Sequence, residues 1–165
     1  MKILQQKDSI CSRFLIKQQV YDMNCEFCNF KNPKATVTAI IIKDNKILLL
    51  KRNEEPFKNK WDLPGGYMQE KETPEEALRR EIKEELDVDF VKLTFIKALP
   101  GISDWRGQQF PVLIHFFLTE INDKIKISSE NKEYDFIDLK NINYLQIAFD
   151  SNQEMIKYLK KEFVF

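Results

Sequence analysis

Three glutamates in the stretch RREIKEELD, Glu81, Glu84 and Glu85, are spaced three and four residues apart, so on a helix their carboxylates crowd into one arc. Glu84 has Arg80 four residues before it. Neither Glu81 nor Glu85 has a Lys or Arg three or four residues away on either side, and the two face each other instead. Like charges at that spacing are unfavourable on a solvated helix, more so when partly desolvated, and anions near a helix C-terminus also oppose the macrodipole. A cation from outside the helix face would relieve all three penalties. Carboxylate oxygens with no His or thiolate beside them favour Mg²⁺ or Mn²⁺ over zinc. An ion held there would neutralise a charged substrate and lower the pKa of a bound water.

The elements that must position this cluster are legible around it. Thr73, Pro74 and Glu76 form a capping box with proline at the first helical position, which sets a helix from Pro74 to about Leu86. At about 100° per residue, Leu78, Ile82 and Leu86 line its buried stripe. Glu81 and Glu85 fall beside that stripe and Glu84 a little further round, with Arg79, Arg80 and Lys83 on the other side. The carboxylates therefore lie at the seam between core and solvent. Just upstream, in LPGG, Gly65 and Gly66 permit a tight turn through which a backbone carbonyl can approach the same ion.

The remaining segments predict an α+β domain. ATVTAIII and KILLLKR, separated by KDN, read as a hairpin, and the polar loop NEEPFKNK leads on to WDLPGGYM. Strands are expected around VKLTFIKAL, VLIHFFLTEI and, shorter, EYDFIDL, with a last helix through NQEMIKYLKKEF. KALPGISDWRGQQFP reads as a loop whose Trp105 and Phe110 could stack on a base.

At 165 residues the chain has the size of one domain, and its 26 basic and 26 acidic side chains cancel, so no overall field recruits nucleic acid or membrane lipid. The first twenty residues do not read as a secretory signal, and nothing reaches the ~18 apolar residues of a spanning helix, so a cytoplasmic location is expected. Residues 1–34 form an arm separate from a domain at 35–165. The arm carries Cys11, Cys25 and Cys28, the last two as CEFC, half of a zinc ribbon by spacing. No fourth ligand is evident, and a knuckle without zinc is the favoured reading. The single histidine, His115, sits inside an apolar strand run, which argues against a Ser-His or Cys-His nucleophile.

Gly66, Glu72 and the run Arg80-Glu81-Ile82-Lys83-Glu84-Glu85-Leu86-Asp87-Val88, preceded by Trp61 and LPGG, together resemble the signature of the Nudix hydrolase family. One position departs: Asp87 stands where the family normally has the glycine that ends the helix in a left-handed conformation, which Asp tolerates. The resemblance implies an α/β/α sandwich around a mixed sheet, and hydrolysis of a nucleoside diphosphate linked to another group by water attack on phosphorus. It further implies a metal site of Glu81, Glu84, Glu85 and the Gly66 carbonyl, supported by a Glu72–Arg80 ion pair, with Arg52 placed to contact phosphate. The general base is a helix glutamate, Glu130 or Glu133, of which Glu133 is preferred. CEFCNFKNPKATVTAII resembles the segment ahead of the catalytic domain in NADH pyrophosphatase-like members. That favours ADP-ribose or NADH-type substrates over (d)NTPs, although the loop lacks the NADH pyrophosphatase signature. A catalytically silent nucleotide sensor is opposed by the intact glutamates. A homodimer exchanging the arm is compatible with this reading.

Overall fold

The computed structural model describes residues 32–105, 107–121 and 124–162. Asp44 and Asn45, at φ 50 and 62, make the two-residue left-handed turn that joins β1 (Lys34–Lys43) to β2 (Lys46–Arg52). The expected hairpin is short, because only Ile42↔Ile47 and Lys43↔Lys46 pair. Each strand is apolar on both faces and becomes the centre of its own ladder. β1 lies parallel to β6 (Gln108–Ile121), while β2 lies antiparallel to β7 (Asn131–Asp138). The strands splay, and WDLPGGY fills the wedge between them, with β3 (Trp61–Asp62) on β2 and β4 (Gly65–Tyr67) on β1.

The alternation of side chains sorts the mixed sheet into two cores. Val37, Ala39 and Ile41 of β1 and Leu48 and Leu50 of β2 pack with Leu78, Ile82 and Leu86 of α1 (Pro74–Leu86). Ile40, Ile47 and Leu49 pack instead with Met155, Ile156 and Leu159 of α2 (Asp150–Glu162). One helix therefore covers each face, as expected for an α/β/α sandwich.

β5 (Phe90–Trp105) corrects the sequence reading. It pairs with β6 out to Trp105↔Gln108, so most of the stretch read as a loop is strand. Pro100 lies within this strand. β5 is an edge strand, where a missing N–H breaks no ladder bond. Register shifts at Phe90/Lys92 and Phe95/Lys97 re-phase the strand, so that Phe95 faces Phe117 and Leu99 faces Ile114.

Candidate active site

α1 begins as its sequence dictates. Thr73 Oγ1 accepts from the Glu76 N–H at 3.3 Å, and Glu76 Oε2 accepts from the Thr73 N–H at 2.9 Å. The helix ends at Asp87, which takes the left-handed conformation at φ 55 and ψ 31 and donates its N–H to the Lys83 carbonyl. Leu78, Ile82 and Leu86 are buried, which rotates Glu81 and Glu85 to the seam facing β4.

The two glycines of β4 meet this seam in different ways. A Cβ on Gly66 would fall 2.5 Å from Glu81 Cδ and 2.6 Å from both its oxygens, so the absence of a side chain lets that carboxylate lie on the strand. Gly65 has φ +145, and a Cβ there would strike the Val37 carbonyl at 2.1 Å. Its N–H donates to Glu85 Oε2 at 2.8 Å. The wedge between β1 and β2 thus brings a backbone strand against two helix carboxylates.

Arg80 supplies the internal cation that three- and four-residue spacing left out. Its Nε and Nη2 donate to the two oxygens of Glu72 at 2.6 and 2.9 Å, and Nη2 also reaches the Tyr67 carbonyl at 2.9 Å. Nη1 donates to Glu81 Oε1 at 2.7 Å and to Glu84 Oε2 at 3.3 Å. The sequence reading placed Arg80 on the far side of the helix and left Glu81 unpaired. The long guanidinium stem instead wraps back over its neighbour, a reach that helical periodicity does not register. The Glu72–Arg80 pair is formed as expected.

Electrostatics follow from this packing. Burial pushes the Glu85 carboxyl up to about 8, with the charges of Asp62 and Glu81 adding to the shift and the Gly65 N–H opposing it. Burial also raises Glu81 against the pull of Arg80, while Glu84 and Glu130 add to the rise. Arg80 holds Glu72 down at about 2, and Glu72 in turn raises Arg80. The loop before β7 docks on the C-terminal end of α1 through Lys126 N–H to Leu86 O and Ser128 N–H to Glu85 O, both 2.9 Å. That docking is what brings Glu130 within range of Glu81.

Other expected site residues lie elsewhere. Glu133 is on β7 opposite Lys51, on the α2 face of the sheet, and pairs with Lys51 Nζ at 2.7 Å. It is not brought to the helix glutamates. Arg52 Nη1 donates to Asp62 Oδ2 at 2.9 Å and its Nε to the Pro56 carbonyl at 2.7 Å. Phe110 lies against Tyr67, with ring centroids 6.2 Å apart. Trp105 ends β5, and its side chain lies outside the described residues, as do Cys11, Cys25 and Cys28. His115 Nδ1 sits 3.1 Å from the Thr36 carbonyl, linking β6 to β1. Sequence reasoning missed Asp62, which also accepts from Asn152 Nδ2 at 2.6 Å. Its partners are ten and ninety residues away, and no local pattern links them.

Residues 32–159 match the model of the NUDIX domain. The chain is 38% identical over 136 residues to the ADP-ribose pyrophosphatase of Methanocaldococcus jannaschii, spanning 79% of this chain and 76% of that protein. It is 28% identical over 156 residues to the RNA pyrophosphohydrolase of Nitratiruptor sp., spanning 80% and 96%. The solved NUDIX domain of Shewanella oneidensis NrtR, complexed with ADP ribose, superposes with a TM-score of 0.66 at 21% identity, over 93% of this chain and 98% of that one. A mixed sheet between two helices, with a Gly-Gly strand laid on an acidic helix, is the fold these structures share. The chain belongs to the NUDIX family and is a pyrophosphohydrolase of that family.

Members of this family use divalent ions, and the residues here suit one. The donors are carboxylate and backbone-carbonyl oxygens, and the space beside Gly66 admits an anionic side chain directly onto the strand. Among the described residues, no group of three or more acidic side chains is already gathered at one point. Arg80 lies between Glu81 and Glu84, and Glu85 turns to the Gly65 N–H.

Proposed function

We propose that the chain hydrolyses ADP-ribose or a closely similar nucleoside diphosphate derivative in a Mg²⁺- or Mn²⁺-dependent reaction in the cytoplasm. The observation that carries this reading is the seating of the Glu81 carboxylate on Gly66, in a chain 38% identical to an ADP-ribose pyrophosphatase. Glu81, Glu84, Glu85 and the Gly66 carbonyl would hold the ion. When bound, it supplies charge neutralisation of the diphosphate and a water of lowered pKa.

The chain's own groups do the rest. With an ion bound, Arg80 would yield Glu81 and Glu84 to it while staying anchored through Glu72 and the Tyr67 carbonyl. The water oxygen forms a new bond to phosphorus, its proton passes to a carboxylate, and the anhydride P–O bond breaks to leave AMP and ribose 5-phosphate. Glu130 is the better-placed acceptor for that proton, because its loop docks on the end of α1, whereas Glu133 is spent on Lys51.

The test is product release with Mg²⁺ from a panel of ADP-ribose, NADH, (d)NTPs and 5′-triphosphorylated RNA. AMP release at a kcat/KM at least tenfold above every other substrate is expected for ADP-ribose. Preference for the RNA would favour the activity named for the Nitratiruptor relative. Turnover of none would leave a silent nucleotide-binding protein.

A further inference from the structure

The diphosphate chemistry belongs to the α1 face of β4, but the residue that follows Gly66 points the other way. Tyr67 is the cross-strand partner of Thr36, on the face opposite Val37 and Glu81. The residue is 41% exposed, and its hydroxyl is fixed to Ser103 Oγ at 2.6 Å. Phe110 lies beside it with the rings tilted by 36°, and Lys34 Nζ stands 4.8 Å from the Phe110 centroid. Two aromatic rings are thus held by strands on both sides, one of them open to solvent, a single residue from the metal-site carbonyl.

We propose that Tyr67, backed by Phe110, is the platform on which the nucleobase of the substrate stacks. The inference rests on the nucleotide reading above and deepens it. β4 is only three residues long and is paired on β1 alone, so a nucleotide can hold its phosphates on one side of this strand and fold its base over to the other. The rings themselves read no sequence of donors and acceptors, since every base has a π-face.

The test compares AMP with ribose 5-phosphate, two ligands that share the phosphate and the sugar and differ in the base. Each is titrated calorimetrically into the full chain with Mg²⁺. AMP is expected to bind the wild type at least tenfold more tightly. Tyr67→Ala should erase roughly a tenfold share of AMP affinity, as loss of a base–aromatic stack does, and leave ribose 5-phosphate unchanged. Tyr67→Phe, which keeps the ring and loses only the Ser103 bond, should retain most AMP affinity and guards against a folding defect. Equal loss for both ligands in Tyr67→Ala, or full AMP affinity in it, overturns the platform. If the wild type hydrolyses no diphosphate yet prefers AMP, the reaction falls and the platform stands. If it hydrolyses ADP-ribose with equal affinity for the two ligands, the reverse holds.

Discussion

The carboxylate of Glu81 occupies the volume that a Cβ on Gly66 would need, 2.5 to 2.6 Å from three of its atoms. Gly66 is therefore required for room, since among the described glycines only Gly65 and Gly107 have positive φ. The atoms it admits are the far end of a flexible side chain. Gly66→Ala should fold, with a Tm within about 2 °C of wild type, while displacing Glu81 and lowering kcat/KM by roughly 100-fold, an effect at the upper end of those seen for metal-site neighbours. Thermal melts and steady-state kinetics on one preparation check both halves.

Gly65→Ala is expected to behave in the opposite way. At φ +145 any side chain is strained, and its Cβ would meet the Val37 backbone at 2.1 Å, which cannot swing aside. A loss on the order of 3 kcal/mol in urea unfolding is expected. A Gly65→Ala protein as stable as Gly66→Ala would show that the strand is looser than described.

Replacing Glu81 or Glu85 with Gln keeps the shape and removes the charge. Mn²⁺ affinity, followed by water-proton relaxation so that turnover does not enter, should fall at least tenfold in each, and kcat roughly 100-fold. Glu133→Gln, which breaks only an exposed pair with Lys51, should change Mn²⁺ affinity by less than about twofold.

Glu72 gives a pH signature. Arg80 holds its carboxyl at about 2 against an ordinary value of 4.5, so the folded state prefers the anion. The stabilisation is complete above 4.5 and is lost as pH falls through 2. Glu72→Gln lacks this group. Its Tm should lie below that of wild type near neutral pH, and the two should converge as pH is lowered across that window, as followed by circular dichroism.

Asp87 stands at φ 55, where glycine carries no Cβ penalty, but its carboxylate pairs with Lys83 at 2.8 Å and Lys126 at 3.6 Å. Exposed pairs contribute little and are screened by salt. Asp87→Gly should therefore raise Tm by about 2 °C in 1 M salt and by less at low ionic strength. A larger gain at low salt would contradict this balance.

α1 was fully legible in the sequence because everything that defines it is local. The capping box, Pro74, the Leu78-Ile82-Leu86 stripe and the Asp87 terminus lie within fifteen residues, and all take the expected conformation. The apolar runs of β1 and β2 likewise read as strands joined by a tight turn, and the turn at Asp44 and Asn45 is formed. Beyond that short hairpin their ladder partners were not legible, because a double-sided apolar strand accepts a partner on either edge, and the choice of β6 for β1 and β7 for β2 is made by segments far along the chain.

Residue types and local spacing alone determined an acidic helix, its register and the glycines ahead of it. Only the tertiary structure decided that β1 and β2 splay to admit WDLPGGY, that Arg80 folds back onto Glu81, that Glu133 faces the other side of the sheet and that Tyr67 pairs with Thr36 on the face of β4 away from Glu81. Helix signals act over a turn or two of backbone, whereas strand neighbours and side-chain reach depend on which distant segments share a ladder, and no single stretch of sequence carries that.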